Sequence, residues 1–84
     1  LSNPDLRLVP NPATTQVEIW TENLGEKGGE LTVFDAQGRV VWQRIVEADS
    51  SQRLDTSMFS PGLYRVCLRT EQGVVTKALV IIRF

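Results

Sequence analysis

Cys67 is the single thiol of the chain and lies between Arg65 and Arg69. If this stretch is a strand, alternation puts Arg65, Cys67 and Arg69 on one face and Tyr64, Val66 and Leu68 on the other. Neighbouring cations favour thiolate, so the cysteine could react or form an intermolecular disulfide. The favoured expectation is a half-buried, inert thiol, because unpaired cysteine packs as a small apolar group. Catalysis is not expected. The sequence has no histidine, the usual activator of a nucleophile and the commonest metal ligand. The carboxylates are scattered, and Asp35 and Asp55 fall at turn positions, where bonding to nearby backbone is the usual role rather than calcium binding. Trp20, Phe34 and Trp42 alternate toward outward faces, where an aromatic row could stack sugar rings. A one-residue change of register would instead carry Trp42 into the core with Val40 and Val46, which is the favoured expectation because large exposed apolar patches are uncommon.

These residues must be positioned by a small scaffold. A chain of 84 residues and 9.4 kDa makes one domain and one core, with about 60 % of the unfolded surface buried. Nine basic against ten acidic residues leave a net charge of −1, with no electrostatic footprint for nucleic acid. One cysteine excludes an intramolecular disulfide framework. No apolar run approaches the roughly 20 residues that span a bilayer. Val, Ile and Thr together supply 21 residues against four Ala, a balance that favours strands over helices. The opening Leu1-Ser2-Asn3-Pro4 reads as loop, so the chain is expected to be an internal or C-terminal module, residues 1–84, with 1–5 a linker remnant.

Turn residues cut the sequence into seven short strands: Leu6 to Val9, Gln16 to Thr21, Glu30 to Phe34, Arg39 to Val46, Arg53 to Asp55, Leu63 to Thr70 and Val74 to Arg83. Pro10-Asn11-Pro12 removes two backbone donors and ends the first strand. Asp35-Ala36-Gln37-Gly38 and Glu71-Gln72-Gly73 are tight turns. Thr56 to Ser60 could form one helical turn capped by Thr56. Pro61-Gly62 starts the strand that carries Tyr64, whose ring points inward while its hydroxyl seeks a partner at the rim. The expected fold is all-β: a seven-stranded, immunoglobulin-like antiparallel β-sandwich.

Four patterns then stand in one order: Val9-Pro10-Asn11-Pro12-Ala13-Thr14; Leu31-Thr32-Val33-Phe34-Asp35-Ala36-Gln37-Gly38-Arg39-Val40-Val41; Ser60-Pro61-Gly62-Leu63-Tyr64; and Gly73 followed by Lys77-Ala78-Leu79-Val80-Ile81-Ile82-Arg83. Together they resemble the C-terminal sorting domain of the type IX secretion system of the Bacteroidetes, the Por secretion tail. Two details depart from that pattern: Val9 stands where an aromatic residue often precedes the first proline, and the end is Arg83-Phe84 rather than lysine. The resemblance implies an address for an N-terminal cargo protein, with no cofactor and no enzymatic activity. Its implied partners are the outer-membrane translocon and a sortase-like protease. It also implies passage through the periplasm to the medium or the cell surface.

The same resemblance points to the terminal segment as the address. In the last strand Lys77, Leu79, Ile81 and Arg83 alternate against Ala78, Val80, Ile82 and Phe84. The candidate recognition residues are therefore Lys77, Leu79, Ile81, Arg83 and Phe84, presented on a strand edge able to pair with a partner's strand. Pro10, Asn11, Pro12, Gly38, Pro61, Gly62, Tyr64 and Gly73 are expected to determine the fold. Three other outcomes stay open: a carbohydrate- or protein-binding sandwich module, a spacer in a repeat array, and a dimer formed through an edge strand or Cys67.

Overall fold

The computed structural model describes residues 3–47 and 49–83. Seven strands form: β1 (Asp5–Val9), β2 (Gln16–Glu22), β3 (Gly29–Phe34), β4 (Val40–Val46), β5 (Ser51–Asp55), β6 (Gly62–Thr70) and β7 (Gly73–Ile81). They make two antiparallel sheets, ordered β1-β2-β5 and β4-β3-β6-β7. The inward residues of both sheets share one apolar cluster, in which Leu6, Val17, Ile19, Leu31, Val33, Val66, Leu68 and Leu79 are fully buried. Alternation produces this directly, since each of these residues is flanked along its strand by side chains of the opposite face. Tyr64, Val66 and Leu68 point inward, while Arg65 and Arg69 are exposed and Cys67 is half-buried between them.

Several strand limits differ from the sequence expectation. β7 ends at Ile81 rather than Arg83, because Ile81 pairs with Gly62, the first residue of β6, and no partner strand continues beyond it. β5 begins two residues early, where Ser51 and Gln52 pair with Trp20 and Ile19. Thr56 to Ser60 is a turn and not a helix: one bond runs from the Phe59 N–H to the Thr56 carbonyl, and the Thr56 hydroxyl donates to the Thr14 carbonyl instead of capping.

The aromatic row also divides. A register shift between Val33 and Phe34 sets Val33 opposite Trp42 and Phe34 opposite Val40, leaving Val41 as the extra residue. Trp42, opposite the buried Val33, faces inward on the same side as Val46 and packs against the core, whereas the bulge leaves Val40 exposed on the outer side. Phe34 stays on the outer face of the four-stranded sheet, and Trp20 lies on the outer face of the other sheet with the Arg7 guanidinium 5.9 Å from its ring. No continuous aromatic platform results.

Gly62 and Gly28 show two different ways in which geometry requires glycine. Gly62 has φ +151° in open surroundings, so its constraint is the backbone alone. Gly28 has φ +69°, and a Cβ there would collide with the Val46 carbonyl oxygen, where the loop crosses the end of β4. The other motif residues close turns. The Gly38 N–H bonds the Asp35 carbonyl at 3.0 Å, and the Thr70 hydroxyl bonds the Gly73 carbonyl across the β6–β7 turn.

Candidate recognition edge

β7 is the terminal strand of its sheet, so one side of its main chain has no strand beside it within that sheet. Val80 turns both its N–H and its C=O to that side, and the period of two assigns the same direction to Ala78, Thr76 and Val74. The segment Pro10 to Ala13 lies along the far half of this edge. The Asn11 amide donates to the Ala78 carbonyl at 2.9 Å, and the Val80 N–H donates to Asn11 Oδ1 at 3.0 Å. One carboxamide thus supplies the donor and the acceptor that a residue of an added strand would supply. Ala13 continues the pairing in parallel, its N–H bonding the Val80 carbonyl at 2.8 Å and its carbonyl accepting from the Ile82 N–H at 2.9 Å. Pro10 and Pro12 have no N–H of their own, so Asn11 and Ala13 carry all the donors of this strap. Both X–Pro bonds, Val9–Pro10 and Asn11–Pro12, are cis.

The near half is open. Among the described residues, no hydrogen bond reaches the outward N–H or C=O of Val74 or Thr76. Where the two halves meet, a groove of about 470 Å³ lies between β1 and β7, lined by Arg7, Leu8, Val9, Asn11, Lys77 and Ala78. Lys77 spans the two sheets through an ion pair with Asp5, Nζ to Oδ1 3.4 Å. The Asp5 carboxyl sits below the usual carboxylate range, first because it accepts the Leu6 N–H and then because of Lys77.

The predicted recognition residues are thus dispersed. Lys77 is exposed beside the groove, as expected. Leu79 and Ile81 are 0 % and 1 % exposed, so they are core residues and offer no outward apolar row. The odd-numbered face of β7 is the inner one, and Val80 and Ala78 hold the outer positions. Arg83 is exposed, but its guanidinium is engaged by the protein's own backbone. Its guanidinium donates to the carbonyls of Thr14, Thr56, Ser57, Phe59 and Ile82, with the Thr56 and Phe59 bonds at 2.7 Å, and clips the chain end across the bottom of the sandwich. Phe84 lies outside the described residues. The Asn11 bridge and the Arg83 clip are the features that strand periodicity does not reveal. The only signal for the first is an amide side chain set between two prolines.

The remaining motifs brace turns near these ends. The Tyr64 hydroxyl donates to the Ser60 carbonyl at 2.7 Å, and its ring stacks on Phe59 at 5.5 Å. Asp35 Oδ1 accepts the N–H groups of Gln37 and Arg39, and the Arg39 backbone bond is the main cause of its lowered pKa. Asp55 is lowered in the same sense by the Ser57 hydroxyl and N–H. Among the described residues, no three His, Cys, Asp or Glu side chains gather as a metal site would require.

No curated protein sequence matches the chain. The family described as Secretion system C-terminal sorting domain matches residues 7–82, which include the strap, both Gly-containing turns, the Tyr64 corner and all of β7. The chain belongs to that family of type IX sorting domains, the C-terminal signals that direct a protein to the cell surface or the medium.

Proposed function

We propose that this sorting domain is read as a folded object, chiefly through the open half of the β7 edge beside Lys77, and that it performs no catalysis. The observation that carries the reading is the contrast along one strand: Asn11 and Ala13 satisfy the edge at Ala78–Ile82, while the outward groups of Val74 and Thr76 have no partner among the described residues. An extended segment of the translocon can add there through main-chain bonds, with the Lys77 cation selecting its neighbour. Cargo fused ahead of the chain would pass the periplasm by this contact, and a sortase-like protease would then act at the junction. The scaffold fits an immunoglobulin-like sandwich: the order β1-β2-β5 against β4-β3-β6-β7 comes with a tyrosine at the start of β6 whose hydroxyl bonds back to the backbone at the preceding corner.

The test is export of a reporter fused to the N-terminus of the chain in a host with type IX secretion. The fusion should reach the surface or the medium and the unfused reporter should not. Lys77→Glu should lower the exported fraction several-fold while the domain stays folded. Export of that variant at the unaltered level would remove Lys77 from the recognition surface.

A further inference from the structure

The outer face of the four-stranded sheet is unusually apolar for a surface that no described residue covers. Ile45 is 65 % exposed and Val74 59 %, and Leu63, Val41 and Val80 also face outward. The outer face of the three-stranded sheet instead sets Val9 and Trp20 among five charged residues, Arg7, Glu18, Glu22, Arg53 and Asp55. The register arranges the apolar face in rows that cross all four strands. One row reads Ile45, Glu30, Arg69, Val74: apolar, acid, base, apolar. Neither Glu30 nor Arg69 has an ion-pair partner within 4.0 Å among the described residues. The next row reads Gln43, Thr32, Cys67, Thr76. The third sets Phe34 beside Arg65.

Such a face complements itself. A twofold axis parallel to the strands, running between β3 and β6, lays β4 over β7 and β3 over β6 of a second copy. It places Ile45 on Val74, Glu30 on Arg69 and Phe34 under Arg65, each contact occurring twice. Packed sheets cross at about 30°, an offset that long Glu and Arg side chains can span. We propose that the chain forms a face-to-face dimer of four-stranded sheets, held by these apolar ends and by two reciprocal Glu30–Arg69 pairs. Four strands about 4.8 Å apart and about seven residues long present about 400 Å² of flat face per copy. The total is at the low end for protein interfaces, so the association is weak, with a Kd on the order of 100 µM. Sheets packed about 10 Å apart keep the two Cys67 residues too distant for a disulfide while shielding both thiols. This dimer leaves the β7 edge uncovered and does not depend on how the translocon reads it.

Sedimentation equilibrium of the 84-residue chain, with thiol labelling of Cys67 in parallel, tests the proposal. The unaltered chain should dimerise with rising concentration, and Cys67 labelling should slow accordingly. Glu30→Arg and Arg69→Glu should each raise the Kd at least about tenfold by opposing like charges. Mixing those two variants should restore pairing as a heterodimer, and the double swap should restore the homodimer. Cooperative melting of each variant checks the fold, and recovery on mixing cannot come from misfolded chains. The proposal is overturned if the unaltered chain stays monomeric at about 1 mM, tenfold above the expected Kd. It is equally overturned if the single variants dimerise as it does, or if dimerisation is lost in Thr76→Pro, which blocks the β7 edge, but kept in Glu30→Arg.

Discussion

The two halves of β7 are built from similar residues and do different work. From Ala78 onward the strand is covered on both sides, by β6 in the sheet and by Asn11 and Ala13 at the edge, and Arg83 fastens the chain just past the strand's end. From Gly73 to Lys77 it pairs only with β6, a groove opens at its Lys77 end, and the exposed Lys77–Asp5 ion pair links it to β1. An unguarded edge invites aggregation, and proteins usually shorten, charge or cover it. Here the covering stops halfway. The covered half holds the fold together, and the open half is what a partner can reach.

Substitutions should therefore rank by stability in one direction along β7 and by export in the other. The largest loss of stability is expected for Leu79→Ala, which removes a fully buried side chain and should cost about 2–5 kcal/mol in denaturant unfolding. Arg83→Ala deletes the donors to five carbonyls at a site open to water and should cost about 1.5 kcal/mol. Asn11→Ala should cost about 1 kcal/mol, because it frees the Ala78 carbonyl and the Val80 N–H to water rather than burying them. If Asn11→Ala proved as costly as Leu79→Ala, the strap would be part of the core rather than an edge cover.

Strand faces were legible in the sequence, because a period of two reports which side chains are buried: Tyr64, Val66 and Leu68 against Arg65, Cys67 and Arg69. The Asp35–Gly38 turn was legible from its residue types. Edges were not legible. Periodicity carries no information on which strand is terminal or what lies beside it, so it gave no sign that Arg83 serves carbonyls from two distant segments, Thr14 and the turn from Thr56 to Phe59. The choice of face on β7 also could not be made locally, since both alternating sets hold apolar residues. Leu79 and Ile81 are inside because β7 pairs with β6 in the register Tyr64–Leu79. The bulge after Val33 had no local signal, and it puts Val40 on the face opposite to Trp42 and Val46.

Acid should sharpen the contrast at smaller scale. Asp5, Asp35 and Asp55 all have pKa values lowered from 3.8 in the folded state. A lowered carboxylate contributes stability that is complete above its unfolded value and lost as pH falls through its folded value. Midpoints of urea unfolding should therefore be level from neutral pH down to about 5 and decline below about 4. Asp5→Asn should flatten part of that decline, and a decline starting above pH 5 would point to groups other than these three.

Thr76→Pro tests the central claim most directly. The Thr76 N–H points away from β6, so proline at this edge position removes no ladder bond, and the melting temperature should change little. It does remove the donor and occupy the space that an added strand requires. The account predicts a folded domain whose fused reporter is retained in the cell. A folded Thr76→Pro domain exported at the unaltered level would contradict recognition at the open half of the β7 edge.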